Sequence, residues 1–186
     1  TTEIYTLSLH DALPIFDTPT GKIELYSTLL EQTGFDPLPK YTPHEEPPEG
    51  FYRLNYGRTQ SHTFSRTSNN PNLAAIMPEN NIWVNPKVAV NWQLQDGQEI
   101  WLKNQDGVVT PFPAKVRITE RVRWDSVYVV HGFGHNNALL TRTHGKGVSD
   151  SALITKVLTD PIMGGTGMRG NFVTFVTENP DKEAQV

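Results

Sequence analysis

Short segments in which apolar and polar residues alternate recur along the chain from residue 51 to residue 176. Alternation with a period of two is typical of strands that bury one face. Strands are predicted at residues 51–56, 81–86, 114–119, 126–130 and 171–176, with one more at the end of the segment 94–102. Brief helices are predicted at residues 71–76, 87–92 and 151–158. Short strands at this spacing favour a mainly β fold that closes into a small barrel.

Local motifs refine the boundaries of these elements. The pair Asp106-Gly107 predicts a hairpin turn in which both residues adopt a positive φ. Asp150 is predicted to cap the helix 151–158, whose apolar face would carry Leu153, Val157 and Leu158 into the core. Four basic residues between positions 115 and 123 are expected to face solvent, and the alternative is a phosphate-binding patch.

The segment that precedes the barrel is predicted to be a strand–helix connector. Residues 22–26 alternate as a strand does, Ser27 can cap a helix that runs to Gln32, and Gly34 suits the end of that helix. Residues 42–50 are rich in proline and acid, as linkers are. We therefore divide the chain into a connector at residues 16–50, a barrel at residues 51–178 and a tail at residues 179–186.

The first fifteen residues, TTEIYTLSLHDALPI, resemble the translation of a common short-read sequencing adapter. A segment of that origin takes no part in a fold. The alternative is a short helix with leucines and alanine on one face. We expect the adapter origin, and with it a natural protein that extends upstream of Phe16.

The composition narrows the class of protein. The chain has 186 residues, of which 37% are hydrophobic and 19% charged, and this content suits one folded domain. The formal net charge of −4 gives no indication of a nucleic-acid partner. The absence of cysteine excludes disulfides and a cysteine-held iron–sulfur cluster within this sequence.

The segment 57–70 is the most informative part of the sequence. Nearly every side chain in it can form a hydrogen bond, none is acidic, and Phe64 is its only apolar residue. Arg58 and Arg66 carry planar guanidinium groups that can bind phosphate at two points. A loop of this kind at the end of a strand predicts a site for a large polar anion. The alternative is an ordinary solvated loop.

Two further glycine-rich loops are candidate sites. The loop 131–135, HGFGH, follows an apolar strand, and its glycines allow close approach of backbone to a ligand. His131, His135 and His144 could bind a metal, but Gly132 and Gly134 disfavour the helix that would align the first two, so we expect no metal site. Residues 143–150 form another loop loosened by glycine, which we group with 131–135, and residues 164–171 form the third polar, glycine-rich loop. Its glycines and Arg169 could bind an anion.

These three loops resemble the C-terminal cofactor-binding domain of the molybdopterin oxidoreductases of the dimethyl-sulfoxide-reductase superfamily. The resemblance covers residues 18–176 and rests on GRTxxHTFxxTxNN at 57–70, HGFGH at 131–135 and DPxMGGTGMxxNFV at 160–173. It is strongest to the branch of thiosulfate, polysulfide and tetrathionate reductases. It implies a six-stranded double-psi β-barrel that binds molybdopterin guanine dinucleotide, with molybdenum or tungsten.

The resemblance also implies which residues contact or shape the cofactor site, provided that the three loops converge. The implied cofactor-binding residues are Gly57, Arg58, Thr59, His62, Thr63, Ser65, Thr67, Asn69, Asn70, His131, Gly132, Phe133, Gly134, Ser149, Asp150, Gly165, Arg169 and Asn171. His62 and Phe133 could in addition line a substrate funnel. No catalytic residue and no metal ligand is expected within this sequence.

The resemblance implies a larger assembly around this domain. Upstream domains of the same polypeptide would hold the metal and a [4Fe-4S] cluster, and an iron–sulfur electron-transfer subunit and a membrane anchor would be partners. A periplasmic or extracytoplasmic location is expected, and so is inactivity of the isolated chain. Sulfur and arsenic oxyanions and polysulfide all remain possible substrates. The alternative is a stand-alone barrel that binds an anionic nucleotide or a protein without redox chemistry.

Overall fold

The structure is a computed structural model that describes residues 16–38 and 40–180. The expectations for residues 1–15 and for most of the tail therefore lie outside the described residues. The chain divides into two compact units between His44 and Glu45. Each unit is described by itself below.

The first unit contains the helix α1, Thr28–Gln32. Its cap is the predicted one, because the Ser27 side chain accepts a hydrogen bond from the Leu30 amide and Gly34 follows the helix with φ of 83°. The strand predicted at residues 22–26 is wrong. No strand forms there, and Leu25 is 83% exposed. Alternation alone does not make a strand, because a strand also needs a neighbour with which to exchange hydrogen bonds.

The second unit holds all the strands and the remaining helices of the described residues. The strands are β1 Tyr52–Gly57, β2 Asn81–Val84, β3 Glu99–Asn104, β4 Ala114–Ile118, β5 Ser126–Val130, β6 Leu158–Thr159, β7 Thr166–Gly167 and β8 Phe172–Val176. The helices are α2 Pro71–Ile76, α3 Pro86–Trp92 and α4 Asp150–Leu153.

Six of these strands close into a barrel in the order β1-β5-β2-β4-β3-β8, while β6 and β7 form a separate pair. The predicted mainly β barrel is confirmed. Within it, β1 pairs with β5 and β2 with β4 in parallel, whereas the other neighbours are antiparallel. The parallel pairing places Gly57 beside Val130. The loops that follow β1 and β5 therefore leave the barrel at the same edge.

The barrel interior is filled by aliphatic side chains from alternate positions. The most deeply buried of them are Leu54, Ile82, Val84, Ile100, Leu102, Val116, Val127, Val129 and Val173. Each such side chain contributes roughly 1.5–3 kcal/mol when it leaves water. The other face of β4 points outward, as predicted, where Arg117 lies 4.8 Å from the Trp83 ring centroid.

The helix predicted at residues 151–158 is shorter than expected and has a different cap. It ends at Leu153, and the side chain of Ser149, not Asp150, accepts the hydrogen bond from the Ala152 amide. Leu153 is buried as predicted, but Val157 and Leu158 are exposed. Leu158 belongs instead to β6, whose pairing with β7 replaces the last turns of the helix.

The turn at residues 104–107 also departs from prediction. Gly107 alone has a positive φ, of 86°, and Asp106 does not share it. The Asn104 side chain accepts hydrogen bonds from the amides of Asp106 and Val108. These bonds hold the turn in a form that needs only one glycine.

Within the described ranges, no helix has the length and apolar character required to cross a bilayer.

Candidate functional site

The 57–70 loop and the 131–135 loop pack directly against each other through glycine. Gly132 has φ of 93°, and a methyl group placed on it would lie 2.6 Å from the carbonyl carbon of Phe64. A methyl group on Gly134 would overlap the backbone of Ser149 in the same way. Only glycine fits at either position, because a side chain would have to displace backbone. The predicted shaping role of these glycines thus has a structural basis.

A fully buried asparagine joins the 131–135 loop to the 143–150 segment. The side-chain amide of Asn80 donates hydrogen bonds to the carbonyl groups of Val130 and Val148, at 2.7 and 2.9 Å. Its carbonyl oxygen accepts a hydrogen bond of 2.9 Å from the Val148 amide. Asn80 therefore satisfies three backbone groups that would otherwise be buried without partners.

His62, in the 57–70 loop, and Phe133, in the 131–135 loop, are buried against each other rather than on a surface that a ligand reaches. His62 is 6% exposed, and its ring nitrogens bond the Met77 carbonyl at 2.8 Å and the Thr67 hydroxyl at 3.3 Å. Phe133 packs edge to face against this ring at 5.4 Å. The structure therefore does not support the expected substrate funnel of His62 and Phe133. Both residues stabilise the loop from within.

The hydroxyl groups of the 57–70 loop fall into two sets. Those of Thr59 and Thr67 accept hydrogen bonds from the amides of Ser61 and Thr63, and so they hold the loop in shape. The exposed hydroxyls of Thr63 and Ser65 make no hydrogen bond within the described part of the chain. Of these predicted residues, Thr63 and Ser65 are the ones whose hydroxyls are available to a ligand.

The amide side chains of the same loop are engaged within the protein. Asn69 accepts a hydrogen bond of 2.9 Å from the Arg142 amide. Asn70 is the cap of α2, where it accepts hydrogen bonds from the amides of Asn72 and Leu73. Both residues fix the end of the loop, which is a structural role.

Five side chains form a continuous row across the ends of β1 and β5, which we name the Arg58–Arg169 row. The Arg58 guanidinium lies 4.5 Å from the Phe64 ring centroid, and Phe64 meets the His131 ring edge to face at 5.5 Å. His131 lies 6.2 Å from the ring of Tyr56, and the Arg169 guanidinium lies 5.7 Å from Tyr56. The row contains residues from the first, second and third predicted loops, so their expected convergence is seen here.

The charge balance of the row is positive. Within the described residues, neither Arg58 nor Arg169 makes an ion pair. One acid contacts the row directly, since the Oδ2 atom of Asp150 lies 2.6 Å from the His131 Nδ1 atom. Asp150 is 1% exposed, and its other oxygen, Oδ1, is buried without a partner. Two unpaired guanidinium groups beside aromatic rings suit a ligand that carries both phosphate and a flat heterocycle.

Two of the predicted cofactor-binding residues, Asn171 and Gly165, are not part of the row. The Asn171 carboxamide accepts hydrogen bonds from the amides of Thr155 and Lys156 and donates to the carbonyl groups of Lys156 and Met168. Asn171 therefore braces the start of β8. Gly165 is exposed, and no atom lies within 4 Å of the position where its side chain would be.

The remaining predicted residues frame the site. Gly57 ends β1 above the Tyr128 ring, and a methyl group on it would lie 2.9 Å from the Tyr128 hydroxyl. Burial raises the pKa of the Tyr128 hydroxyl above its ordinary value. Ser149 is committed to the cap of α4.

Sequence reasoning missed three residues that form or support the site, namely Tyr56, Phe64 and Asn80. Phe64 has φ of 51°, a left-handed conformation that is uncommon for a residue with a side chain. Phe64 is 41% exposed although it is large and apolar. A single aromatic residue within a polar run was the available signal for Phe64. Asn80 gave no signal, because its partners are distant in sequence.

No metal centre forms among the described residues, where no group of three or more histidine, cysteine or acidic side chains is arranged around one point. A pocket of about 360 Å³ lies at the other end of β1 and β5, lined by Tyr52, Lys87, Val88, Asn91 and Trp124. It is separate from the row.

Residues 52–171 match the family model described as "Molydopterin dinucleotide binding domain". The chain belongs to this family. The match includes all five residues of the Arg58–Arg169 row and every predicted cofactor-binding residue. The chain is therefore a molybdopterin dinucleotide-binding domain of the kind found in molybdoenzymes, and its fold and its row of rings and cations accord with that.

Individual relatives agree with the family. The chain is 32% identical over 151 residues to the thiosulfate reductase molybdopterin-containing subunit PhsA of Salmonella typhimurium. The aligned region covers 80% of this chain and 19% of PhsA. It is 32% identical over 99 residues to the acetylene hydratase of Syntrophotalea acetylenica. This aligned region covers 48% of this chain and 14% of the hydratase.

A solved structure shares the fold. Acetylene hydratase from Pelobacter acetylenicus superimposes with a TM-score of 0.67 at 22% identity, over 87% of this chain and 24% of the hydratase chain. The chain thus spans no more than 24% of the length of any of these three proteins.

Proposed function

We propose that this chain is the cofactor-binding part of the catalytic subunit of a molybdenum or tungsten oxidoreductase. In this proposal, the Arg58–Arg169 row holds a molybdopterin guanine dinucleotide. The proposal rests on one observation above all, which is that two unpaired arginines flank three aromatic rings at the edge where the loops converge.

The chemistry of these side chains fits such a cofactor. Guanidinium groups bind the oxygens of a diphosphate through charge-assisted hydrogen bonds, and aromatic faces stack on flat heterocycles. The exposed hydroxyls of Thr63 and Ser65 can donate further hydrogen bonds. When bound, the cofactor supplies metal-centred redox chemistry, and this domain binds and orients it.

We extend the proposal to the whole protein. The substrate in this proposal is a sulfur or arsenic oxyanion or polysulfide. The likeness to PhsA, which is named a thiosulfate reductase subunit, supports the sulfur oxyanion among these. We also propose upstream domains with a [4Fe-4S] cluster, an iron–sulfur electron-transfer subunit, a membrane anchor, and a periplasmic or extracytoplasmic location. Assays of the full-length protein with thiosulfate, polysulfide, tetrathionate and arsenate would test the substrate class.

Removing either arginine of the row is expected to weaken binding of guanosine diphosphate, a probe that carries the base and the diphosphate of the cofactor. A hydrogen bond to a charged group contributes about 1.5–3 kcal/mol, so Arg58→Gln or Arg169→Gln should each lower affinity roughly 10- to 100-fold. Isothermal titration calorimetry of the chain measures this directly. Pyrophosphate, titrated in parallel, separates the phosphate contribution from that of the base.

Arg121→Gln is the matched control, because Arg121 is also an exposed arginine that makes no ion pair within the described residues. It precedes β5, whereas the row lies beyond the other end of that strand. Its affinity for the probe should equal that of the wild type. Equal loss in all three variants would indicate nonspecific attraction, and unchanged affinity in the two row variants would refute the proposed site.

A further inference from the structure

We infer that Asp150 is a positioning residue that orients the His131 ring, so that the Nε2 atom of His131 faces the bound ligand as a hydrogen-bond acceptor for an N–H group of its heterocycle. This inference deepens the proposed function and rests on it. It also changes the role of Asp150, which the family resemblance implied to be a cofactor-binding residue.

The burial of Asp150 favours action through His131 rather than direct contact with the ligand. Asp150 is 1% exposed, so its carboxylate does not reach the surface where the two arginines lie. Its Oδ2 atom is 2.6 Å from the His131 Nδ1 atom. A carboxylate only accepts hydrogen bonds, so the proton of this contact belongs to Nδ1. The second ring nitrogen, Nε2, is thereby directed away from Asp150.

The surroundings of His131 leave its Nε2 atom to a ligand. The His131 amide is fixed to the Gly57 carbonyl at 2.9 Å, and the ring lies between those of Phe64 and Tyr56. The side chain is 26% exposed, and Nε2 makes no hydrogen bond within the described part of the chain. His131 is the central member of the Arg58–Arg169 row. An acceptor at this point would face the same ligand as the two guanidinium groups and could accept a hydrogen bond from an N–H group of its heterocycle.

In the described part of the chain, the structure shows no role for the buried Asp150 carboxylate other than its contact with His131. The cap of α4 is the Ser149 side chain, so the helix does not need the acid. A buried charge is costly unless it is paired, and His131 provides the one side-chain partner that Asp150 has among the described residues. Carboxylates that hold a histidine ring in one tautomer are a recurrent device in functional sites.

The first test is spectroscopic and needs no ligand. Two-bond ¹H–¹⁵N correlation spectra of the imidazole report which nitrogen carries the proton. The wild-type chain should show His131 protonated at Nδ1, and Asp150→Asn should change this tautomer population. Addition of guanosine diphosphate to the wild type should shift the Nε2 resonance more than that of Nδ1, whereas pyrophosphate, which has no N–H group to donate, should not.

The second test is a double-mutant cycle on probe affinity. Asp150→Asn should weaken guanosine diphosphate binding severalfold in the wild-type background and have no further effect in a His131→Phe background, because the carboxylate acts through the imidazole. His131→Phe keeps an aromatic ring between Phe64 and Tyr56. Asp125→Asn is the control, since Asp125 pairs with Arg123 at the start of β5, away from the row.

Each outcome decides a separate point. An unchanged tautomer in Asp150→Asn, or an undiminished effect of that change in the His131→Phe background, would overturn the positioning role. A wild-type chain that binds neither probe would refute the proposed function and the Nε2 contact with it. The tautomer comparison would still decide whether Asp150 orients the ring, so the two failures are distinguishable.

Discussion

Gly132→Ala is expected to destabilise the barrel and to abolish binding of guanosine diphosphate at the Arg58–Arg169 row. The added methyl group would lie 2.6 Å from the Phe64 carbonyl carbon and 2.7 Å from the Ser65 amide nitrogen, and both are backbone atoms. They cannot rotate away as a side chain does, so the 57–70 loop must move. Strain at positive φ costs about 1–2 kcal/mol and overpacking about 1–3 kcal/mol, which gives a loss of roughly 2–5 kcal/mol.

Gly107→Ala separates these two costs. Gly107 has φ of 86°, close to the 93° of Gly132, but no atom lies within 4 Å of the added methyl position. Only the backbone strain should therefore appear, at about 1–2 kcal/mol, and probe affinity should stay unchanged. Urea denaturation followed by tryptophan fluorescence measures both variants. Equal losses of stability in the two variants would contradict the close packing of the two loops.

The effect on binding follows from the position of Phe64. Its ring connects Arg58 to His131 in the row, and the backbone of Phe64 is the part that a methyl group at Gly132 would displace. The loss of affinity should therefore exceed what partial unfolding explains. Titration under conditions in which the variant is fully folded, as judged by circular dichroism, distinguishes the two causes.

The barrel was predictable because the alternation that indicates each strand lies within that strand's own short segment of sequence. Alternation in segments such as residues 114–119 and 126–130 reflects burial of every second side chain, and each strand reports this independently. Residues 22–26 show the same alternation without forming a strand. A single sequence cannot distinguish the two cases, because the presence of a pairing partner is a property of the fold.

The site was predictable in its location but less so in its roles. The polar loop and HGFGH indicated where a ligand binds, but hydrogen-bonding capacity does not tell whether a group serves the ligand or the loop. His62, Thr67 and Asn70 proved to be engaged within the protein. Arg58 and Arg169 remained available, because no acid pairs with them in the described residues.

Asn80→Ala is expected to have the second large effect, a loss of about 3–5 kcal/mol in the free energy of unfolding. The change leaves three backbone groups of Val130 and Val148 without partners and opens a cavity where the carboxamide was. Asn80→Leu restores most of the volume but none of the hydrogen bonds. If the hydrogen bonds dominate, leucine should be nearly as destabilising as alanine.

The consequences of Asn80→Ala should reach the ligand site, although Asn80 does not touch the row. Asn80 holds Val148 two residues before Asp150, and it holds Val130 next to His131. Loosening both attachments should disturb the hydrogen bond between Asp150 and His131, and so change the ¹⁵N signals of the imidazole. Asn91→Ala, at an exposed position on α3, should alter stability by no more than about 0.5 kcal/mol. If Asn80→Ala behaved like Asn91→Ala in urea denaturation and in the imidazole spectrum, this would refute the inferred coupling between the buried asparagine and the site.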